Sequence, residues 1–141
     1  MIARTGDVMT VLLVDAANVV GSRPDGWWRD RAGAAARLLA RLAALPGRRL
    51  TGPDGDEFTC TAVVAVVEGQ ARDVAAPDGV EALRAPGSGD DALAEEAARR
   101  AAEGAPLLVV TADRGLRDRL PADVAIAGPG WLLRQLDDIP A

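Results

Sequence analysis

Short apolar runs bounded by turn residues alternate along this chain with longer stretches rich in alanine, leucine and arginine. Five of the apolar runs have the length of β-strands, at residues 9–14, 60–67, 80–84, 106–111 and 123–127. Helical patterns occupy most of the intervals between them. This alternation is typical of a parallel sheet covered by helices, so the sequence predicts an α/β fold.

Four helices are predicted, over Trp28–Leu45, over Asp90–Glu103, after Arg114 and after Pro129. The first carries a leucine stripe that includes Leu38 and Leu42, which we expect to face the sheet. Cys60 and Trp131 also have the sequence surroundings of core residues. The segment 50–58 is rich in glycine, proline and aspartate, so we expect a mobile loop there.

The composition limits the chemistry that this chain can perform. Its 141 residues fit one domain over 1–141, and the 49% of hydrophobic residues can form a real core. There is no histidine, and all 16 basic residues are arginines. A histidine-based zinc site, a Ser/His nucleophile pair and a Walker A loop are therefore excluded. Catalysis is left with carboxylates, arginines and a hard metal ion.

The cysteine content suggests the cellular compartment, and the net charge limits which classes of partner the protein can bind. A formal net charge of -5 argues against a protein that coats nucleic acid through its overall field. One cysteine cannot form an internal disulfide, and no apolar run approaches the roughly 18 residues of a membrane span. We expect a cytoplasmic protein that makes no membrane contact.

Acidic residues stand at the ends of three predicted strands, the edge where open parallel sheets bind their ligands. These residues are Asp15, Glu68 and Asp113, and a further pair, Asp90 and Asp91, opens the helix after the third strand. Carboxylates that converge at one edge repel one another, and a divalent cation resolves that conflict. Oxygen ligands without histidine favour Mg2+ or Mn2+ over zinc.

Each acid taken alone also fits a purely structural role. Asp15 and Asp113 could serve as turn formers or helix N-caps, and Glu68 could be a solvated strand end. Ser88 and Asp91 have the spacing of a capping box. Capping does not require the acids to share one edge of the sheet, whereas a metal site does, so their joint placement favours the metal site.

Three blocks of the sequence, 14–21, 89–93 and 110–114, resemble the acidic blocks of the NYN family. These are PIN-like metal-dependent ribonucleases that include the YacP-type bacterial proteins. The resemblance implies a three-layer sandwich whose five-stranded, mainly parallel sheet has the order 3-2-1-4-5. It also maps a set of residues to positions that bind metal or water, namely Asp15, Asn18, Asp90, Asp91 and Asp113.

Two further blocks, 27–31 and 67–72, resemble actinobacterial NYN-like proteins that are sometimes labelled nucleoside triphosphate pyrophosphohydrolases. Other α/β families fit less well. A haloacid-dehalogenase phosphatase needs a second aspartate where this chain has Ala17, and a later lysine. The glycine fingerprint of dinucleotide-binding folds does not follow the first strand.

Four arginines near the acidic edge are candidate phosphate ligands, namely Arg29, Arg31, Arg72 and Arg114. Alternatively, they balance nearby surface acids. Trp27 and Trp28 could stack an unpaired base. The other interpretation is that one of the two packs between helix and sheet.

The sequence therefore predicts an Mg2+- or Mn2+-dependent phosphodiester hydrolase, with single-stranded or structured RNA as the favoured substrate. Asp15, Asp90 and Asp113 would hold the metal directly, with Glu68 as a further metal-site residue. Glu68 and Asp91 would support the ion or orient water, and Asn18 would position a ligand or water through its amide. One alternative is a nucleoside triphosphate pyrophosphohydrolase that uses the same site, with segment 50–58 as its lid. Another is a non-catalytic module that binds metal and nucleic acid. The expected partner is RNA or a nucleotide, and a homodimer is left open.

Overall fold

The structure, a computed structural model, describes residues 8–140. Its strands are β1 (Met9–Asp15), β2 (Arg49–Thr51), β3 (Glu57–Val67), β4 (Val80–Arg84), β5 (Leu107–Val110) and β6 (Ala125–Ala127). Its helices are α1 (Ala16–Gly21), α2 (Arg31–Leu42), α3 (Gly89–Ala102), α4 (Arg114–Arg117) and α5 (Pro129–Asp137). Over the described range, no helix combines the length and the apolarity needed to cross a membrane.

The parallel strands follow the predicted order. β1 lies at the centre and pairs in parallel with β3 on one side and β5 on the other. β4 extends the sheet beyond β3, and β6 extends it beyond β5. The predicted strand order 3-2-1-4-5 is therefore confirmed. In the numbering of the structure, this order is β4-β3-β1-β5-β6. The sequence does not predict the short strand β2, which pairs antiparallel with the first residues of β3.

Each face of the sheet is covered by its own layer of helices. Because successive strand residues point to opposite faces, Leu12 and Val14 pack under α1, α2 and α5, whereas Leu13 packs under α3 and α4. The leucine stripe of α2 is fully buried at Leu39 and Leu42. The result is the three-layer α/β arrangement that the sequence predicts.

Both residues assigned to the core from sequence are buried. Cys60 is inaccessible to solvent, and burial raises the pKa of its thiol to about 11, so the thiol is protonated at neutral pH. Trp131 packs against Phe58 with ring centroids 6.3 Å apart. Its indole nitrogen donates to the Thr51 carbonyl oxygen at 2.9 Å, which ties α5 to β2.

The helix boundaries differ from prediction around the first two helices. α1 was not expected, and the helix predicted over 28–45 begins only at Arg31. Asp30 caps it, accepting a hydrogen bond from the Gly33 amide at 2.9 Å, while Trp27–Arg29 forms a separate 3-10 turn. The helix ends at Leu42, and the turns that follow lead to Gly47, whose φ of 87° is left-handed.

The segment 50–58 is a hairpin between β2 and β3. The Gly52 amide donates to the Asp56 carbonyl oxygen at 2.8 Å, and the Asp56 amide donates to the Asp54 carboxylate at 3.0 Å. The hairpin lies at the amino end of β1, because Met9 pairs with Thr59. It is on the opposite edge of the sheet from Asp15, so the prediction that it closes over the acidic residues as a lid is wrong.

Two adjacent leucines of α5 allow a test of how much the burial of this helix contributes to the free energy of unfolding. Leu132 is fully buried and Leu133 is partly buried against the same core cluster. We expect Leu132→Ala to lower the free energy of unfolding by about 2–5 kcal/mol, from lost transfer energy and the cavity left behind. Leu133→Ala is the matched control and should cost clearly less in urea unfolding. Equal losses would contradict this packing of α5.

Candidate active site

The register of the central strands brings three polar side chains to one corner of the sheet. Each lies two residues beyond a strand residue that packs under α3 and α4, so strand alternation directs it to the same face. The pairs are Leu13 and Asp15, Val66 and Glu68, and Val109 and Thr111. All three polar residues stand at the carboxyl ends of neighbouring parallel strands, where this class of fold binds ligands.

Asp15 is partly buried at this corner, and both of its oxygens are hydrogen-bonded. One oxygen accepts from the Asn18 amide at 3.3 Å, and the other accepts from the Thr111 hydroxyl at 3.0 Å. Burial, together with the smaller effect of the negative charges of Asp90 and Glu68, raises the pKa of Asp15 to about 6. The two hydrogen bonds oppose that shift without cancelling it.

Asp90 faces this corner from the first turn of α3. Burial raises the pKa of its carboxyl, followed by the charges of Asp113 and Glu68, while Arg119 acts in the opposite direction. Asp90 therefore connects the group electrostatically, because its charge acts on Asp15 while the charges of Glu68 and Asp113 act on it. We call these four residues the acidic cluster.

Glu68 is held in place by the start of α3. The Gly89 amide donates a short hydrogen bond to one Glu68 oxygen. A Cβ at position 89 would lie 2.5 Å from that oxygen, so only glycine allows the carboxylate to approach the backbone this closely. Glu68 is therefore held in a defined position within the acidic cluster. This differs from the alternative interpretation of Glu68 as a solvated strand end.

Asn18 and Thr111 join β1 to the segment that carries Asp113. The Asn18 side-chain oxygen accepts from the Ala112 amide at 2.8 Å. The Thr111 hydroxyl oxygen accepts from the Asp113 amide at 3.1 Å while its proton goes to Asp15. These bonds fix the separation of Asp15 and Asp113. They also use one lone pair of the Asn18 oxygen, which leaves its side-chain nitrogen free to donate in the predicted contact with a ligand or water.

Helix capping accounts for part of what the acids do. Asp15 accepts from the first turn of α1, and Asp113 caps α4 by accepting from the Leu116 amide at 3.0 Å. Ser88 caps α3 through the Asp90 amide at 3.2 Å, a two-residue spacing that differs from a capping box to Asp91. The structural and the functional interpretations of Asp15 and Asp113 are thus compatible.

Asp91 lies in a different environment from the acidic cluster. It forms an ion pair with Arg119 at 2.8 Å, and both side chains are largely exposed. The predicted role of Asp91 in orienting water would compete with this pair. Arg119 itself was not singled out from the sequence, although it is the cation that acts on Asp90.

The four predicted phosphate ligands divide into two groups. Arg31 lies over the Trp27 ring at 5.3 Å from its centroid, and Arg29 lies over Trp28 at 5.8 Å. Arg114 is exposed directly after Asp113, at the start of α4. Arg72 instead lies 3.8 Å from Asp73 at the surface. Arg31 and Arg114 therefore flank the site, while Arg72 already has an acidic neighbour.

A pocket of about 320 Å3 opens beside the acidic cluster, between α1, α2 and the end of β3. We call it the Trp27 pocket. Its lining includes Val20, Trp27, Arg31, Ala35, Val67 and Glu68. Because Glu68 belongs both to this pocket and to the acidic cluster, the two features adjoin at this residue.

The acidic cluster fits a hard divalent cation in its donor chemistry, and it constrains how such an ion could be held. Among residues 8–140, no three carboxylates lie close enough together to coordinate one ion. Mg2+ commonly takes only one or two protein carboxylates and completes its shell with water and substrate phosphate. One or two of Asp15, Asp90 and Asp113 could therefore hold an ion in that way, with Glu68 as a supporting residue.

The sequence did not predict the roles of Thr111, Gly89 and Arg119. Thr111 had a signal, since it stands two residues before Asp113 at the end of a strand. Gly89 also had one, because a glycine beside a helix cap often permits a close approach. Arg119 had none, because its partner Asp91 is 28 residues away in the sequence.

The raised pKa of Asp15 makes a prediction about stability in the absence of metal ions. The folded protein binds this proton more tightly than the unfolded chain, whose pKa is near 3.8. The resulting stabilisation, at most about 3 kcal/mol, is fully present below pH 4 and is lost as the pH rises through 6.

Asp15→Asn cannot lose this proton, so its free energy of unfolding relative to wild type should rise between pH 4 and 7. Urea unfolding in EDTA measures that difference. Asp73→Asn, at a side chain that is 87% exposed, is the control and should leave the difference nearly flat. A flat profile for Asp15→Asn would show that Asp15 titrates normally.

The contact between Glu68 and position 89 makes a second prediction. Gly89→Ala should displace the carboxylate and lower the free energy of unfolding by about 1 kcal/mol, the low end for overpacking, because the end of the Glu68 side chain can shift. Gly87→Ala is the matched control, since a Cβ there meets nothing within 4 Å. Adding Glu68→Ala to Gly89→Ala should restore part of the loss. Identical thermal melts for the two glycine variants would be incompatible with the contact.

No family model and no curated protein matches the sequence. Solved structures do share its fold. Rae1 (YacP) from Bacillus subtilis matches with a TM-score of 0.65 and 17% identity, over 90% of this chain and 73% of that one. A tryptophan-to-leucine mutant of the same protein matches with a TM-score of 0.65 and 18% identity, over 92% and 76% of the two chains. The chain therefore has the fold of Rae1 (YacP), which confirms at the level of the fold the resemblance to YacP-type proteins that its acidic blocks indicate.

Proposed function

We propose that this chain is a metal-dependent phosphodiester hydrolase that cleaves unpaired RNA at the acidic cluster. The observation that carries the proposal is the placement of four carboxylates at the carboxyl edge of the central strands, with the pKa values of Asp15 and Asp90 raised. Raised carboxyl pKa values in a cleft are typical of functional sites. The shared fold with Rae1 (YacP) and the resemblance of the acidic blocks to NYN nucleases support the same conclusion.

Each part of the site has a defined task in this proposal. One or two of Asp15, Asp90 and Asp113 would hold Mg2+ or Mn2+, which, when bound, supplies a hydroxide nucleophile and stabilises the charge that develops on phosphorus. Thr111 and Asn18 keep Asp15 oriented through their hydrogen bonds. These bonds limit the reorganisation that the site needs when a substrate arrives.

Substrate phosphates would be held by arginines at the rim of the site. Arg31 and Arg114 are both exposed on the same edge as the acidic cluster and present the planar donors that suit phosphate. Arg29, which lies beside Trp28, would extend this phosphate contact along the RNA strand. Because the net charge of the chain is -5, RNA binding depends on these local arginines and on base contacts.

A nucleoside triphosphate pyrophosphohydrolase is the second candidate, and the Trp27 pocket is the observation that favours it. A triphosphate, however, needs a clamp of several cations beside the base. Of the arginines, only Arg31 lines this pocket among residues 8–140, and the hairpin at 50–58 lies on the opposite edge. RNA is therefore the better supported substrate. A non-catalytic binding module is the third candidate.

Asp15→Asn and Asp113→Asn test the proposed chemistry. With Mn2+ and single-stranded RNA, we expect either change to lower the cleavage rate roughly 100-fold or more, since metal-ion catalysis is worth several kcal/mol. Asp73→Asn is the charge-matched control and should cleave at the wild-type rate. Product formation is followed on labelled RNA with and without EDTA.

The same assay separates the three candidates. RNA left intact while nucleoside triphosphates release pyrophosphate would support the pyrophosphohydrolase and contradict the proposal. No product from either substrate, with RNA binding retained in Asp113→Asn, would support the binding module. Cleavage that persists in EDTA would contradict the metal dependence.

A further inference from the structure

We infer that the Trp27 pocket receives one unpaired base of the substrate RNA, and that Trp27, not Trp28, is the residue on which this base stacks. The inference deepens the proposed function and rests on it, because it specifies how the RNA is held beside the acidic cluster. Sequence alone leaves the two tryptophans equivalent, since they are adjacent. The structure distinguishes them.

The two tryptophans differ in their surroundings. Trp27 is partly buried and lines the pocket, whereas Trp28 is 52% exposed and lies outside its lining. The two rings meet edge to face, with centroids 6.0 Å apart and planes at 86°. A base that enters the pocket can therefore reach Trp27 without contacting the face of Trp28.

Trp27 is already held in position before any ligand binds. Its ring lies against α1, so that a Cβ added at Gly21 would be 3.6 Å from it. On another side, the Arg31 guanidinium lies 5.3 Å from the ring centroid. Bases in single-stranded RNA stack on aromatic rings and on guanidinium planes alike, and this pair offers both. A surface ordered in advance loses little entropy on binding.

The size and chemistry of the pocket suit one base. Its volume of about 320 Å3 is near the lower end of small-molecule sites, which run from roughly 300 to 1,000 Å3. Val20, Ala35 and Val67 provide apolar walls. The polar groups are concentrated at Arg31, Gln70 and Glu68. An apolar cavity with a few polar groups and an aromatic wall matches a planar heterocycle better than an extended acyl chain.

The position of the pocket connects the base to the chemistry. Ala16 and Ala17, which follow Asp15 directly, belong to its lining, and Glu68 belongs to both features. A nucleotide whose base occupies the pocket therefore carries its phosphate towards the acidic cluster, with Arg31 available as an exposed cation. The pocket would set which phosphodiester bond of an unpaired strand is presented for cleavage.

The test combines variants with RNA strands that lack one base. A short single-stranded RNA is prepared with an abasic position moved along it, and binding is measured by fluorescence anisotropy in EDTA, without cleavage. Wild type is compared with Trp27→Ala, Trp27→Phe and the matched control Trp28→Ala. Thermal melts confirm that all four proteins are folded.

We expect Trp27→Ala to weaken binding of intact RNA roughly 5- to 150-fold, the range for loss of one stacked base. An abasic site should weaken wild-type binding by a similar factor at one position only, and should have no further effect in Trp27→Ala. Trp27→Phe should retain most of the affinity, and Trp28→Ala should change it less than twofold. A flat abasic scan, or equal losses for the two alanine variants, would overturn the inference.

Failure of this inference is distinguishable from failure of the proposed function. If wild type cleaves RNA in Mn2+ and Trp27→Ala has the same KM for RNA, the pocket is refuted and the hydrolase stands. Base-dependent binding through Trp27 with no cleavage would refute the hydrolase and leave the pocket standing. If wild type binds RNA neither in EDTA nor in Mn2+, both are refuted.

Discussion

Repulsion among carboxylates at the carboxyl edge of β1, β3 and β5 is the constraint on which the rest of this structure depends. The central place of β1 puts Asp15 between Glu68 and the segment of Asp113, and α3 adds Asp90 from above the sheet. Burial raises the pKa of Asp15, and the charges of Asp90 and Glu68 add to that rise. A cluster that is unfavourable for the empty protein is favourable for one that binds a cation.

The surrounding structure holds these acids together against their repulsion. Thr111 and Asn18 link β1 to the segment after β5, and the Gly89 amide draws Glu68 to the start of α3. Asp15 and Asp113 also cap α1 and α4, so helix capping and the geometry of the acidic cluster depend on the same carboxylates. On the other side of Glu68, the 3-10 turn that precedes α2 supplies Trp27, the aromatic wall of the pocket.

The sequence predicts the parallel strands and their acidic ends well, because buried strands have continuous apolar runs and the acids follow them directly. The strand order comes from the family resemblance. β2 escaped prediction because only Leu50 of its three residues is buried, too few for a periodic signal. α1 escaped because it has six residues, two of them β-branched. The Trp27 pocket could not be predicted, because its walls come from α1, α2 and β3.

The most direct test of the central claim is a calorimetric titration of Mn2+ into wild type and Asp15→Asn at pH 7 and pH 5. Protons compete with the metal for Asp15, whose pKa is raised to about 6. Wild-type affinity should therefore be about tenfold weaker at pH 5, and Asp15→Asn should bind weakly at both values. Wild-type binding that does not change with pH, or tight binding by Asp15→Asn, would contradict the account.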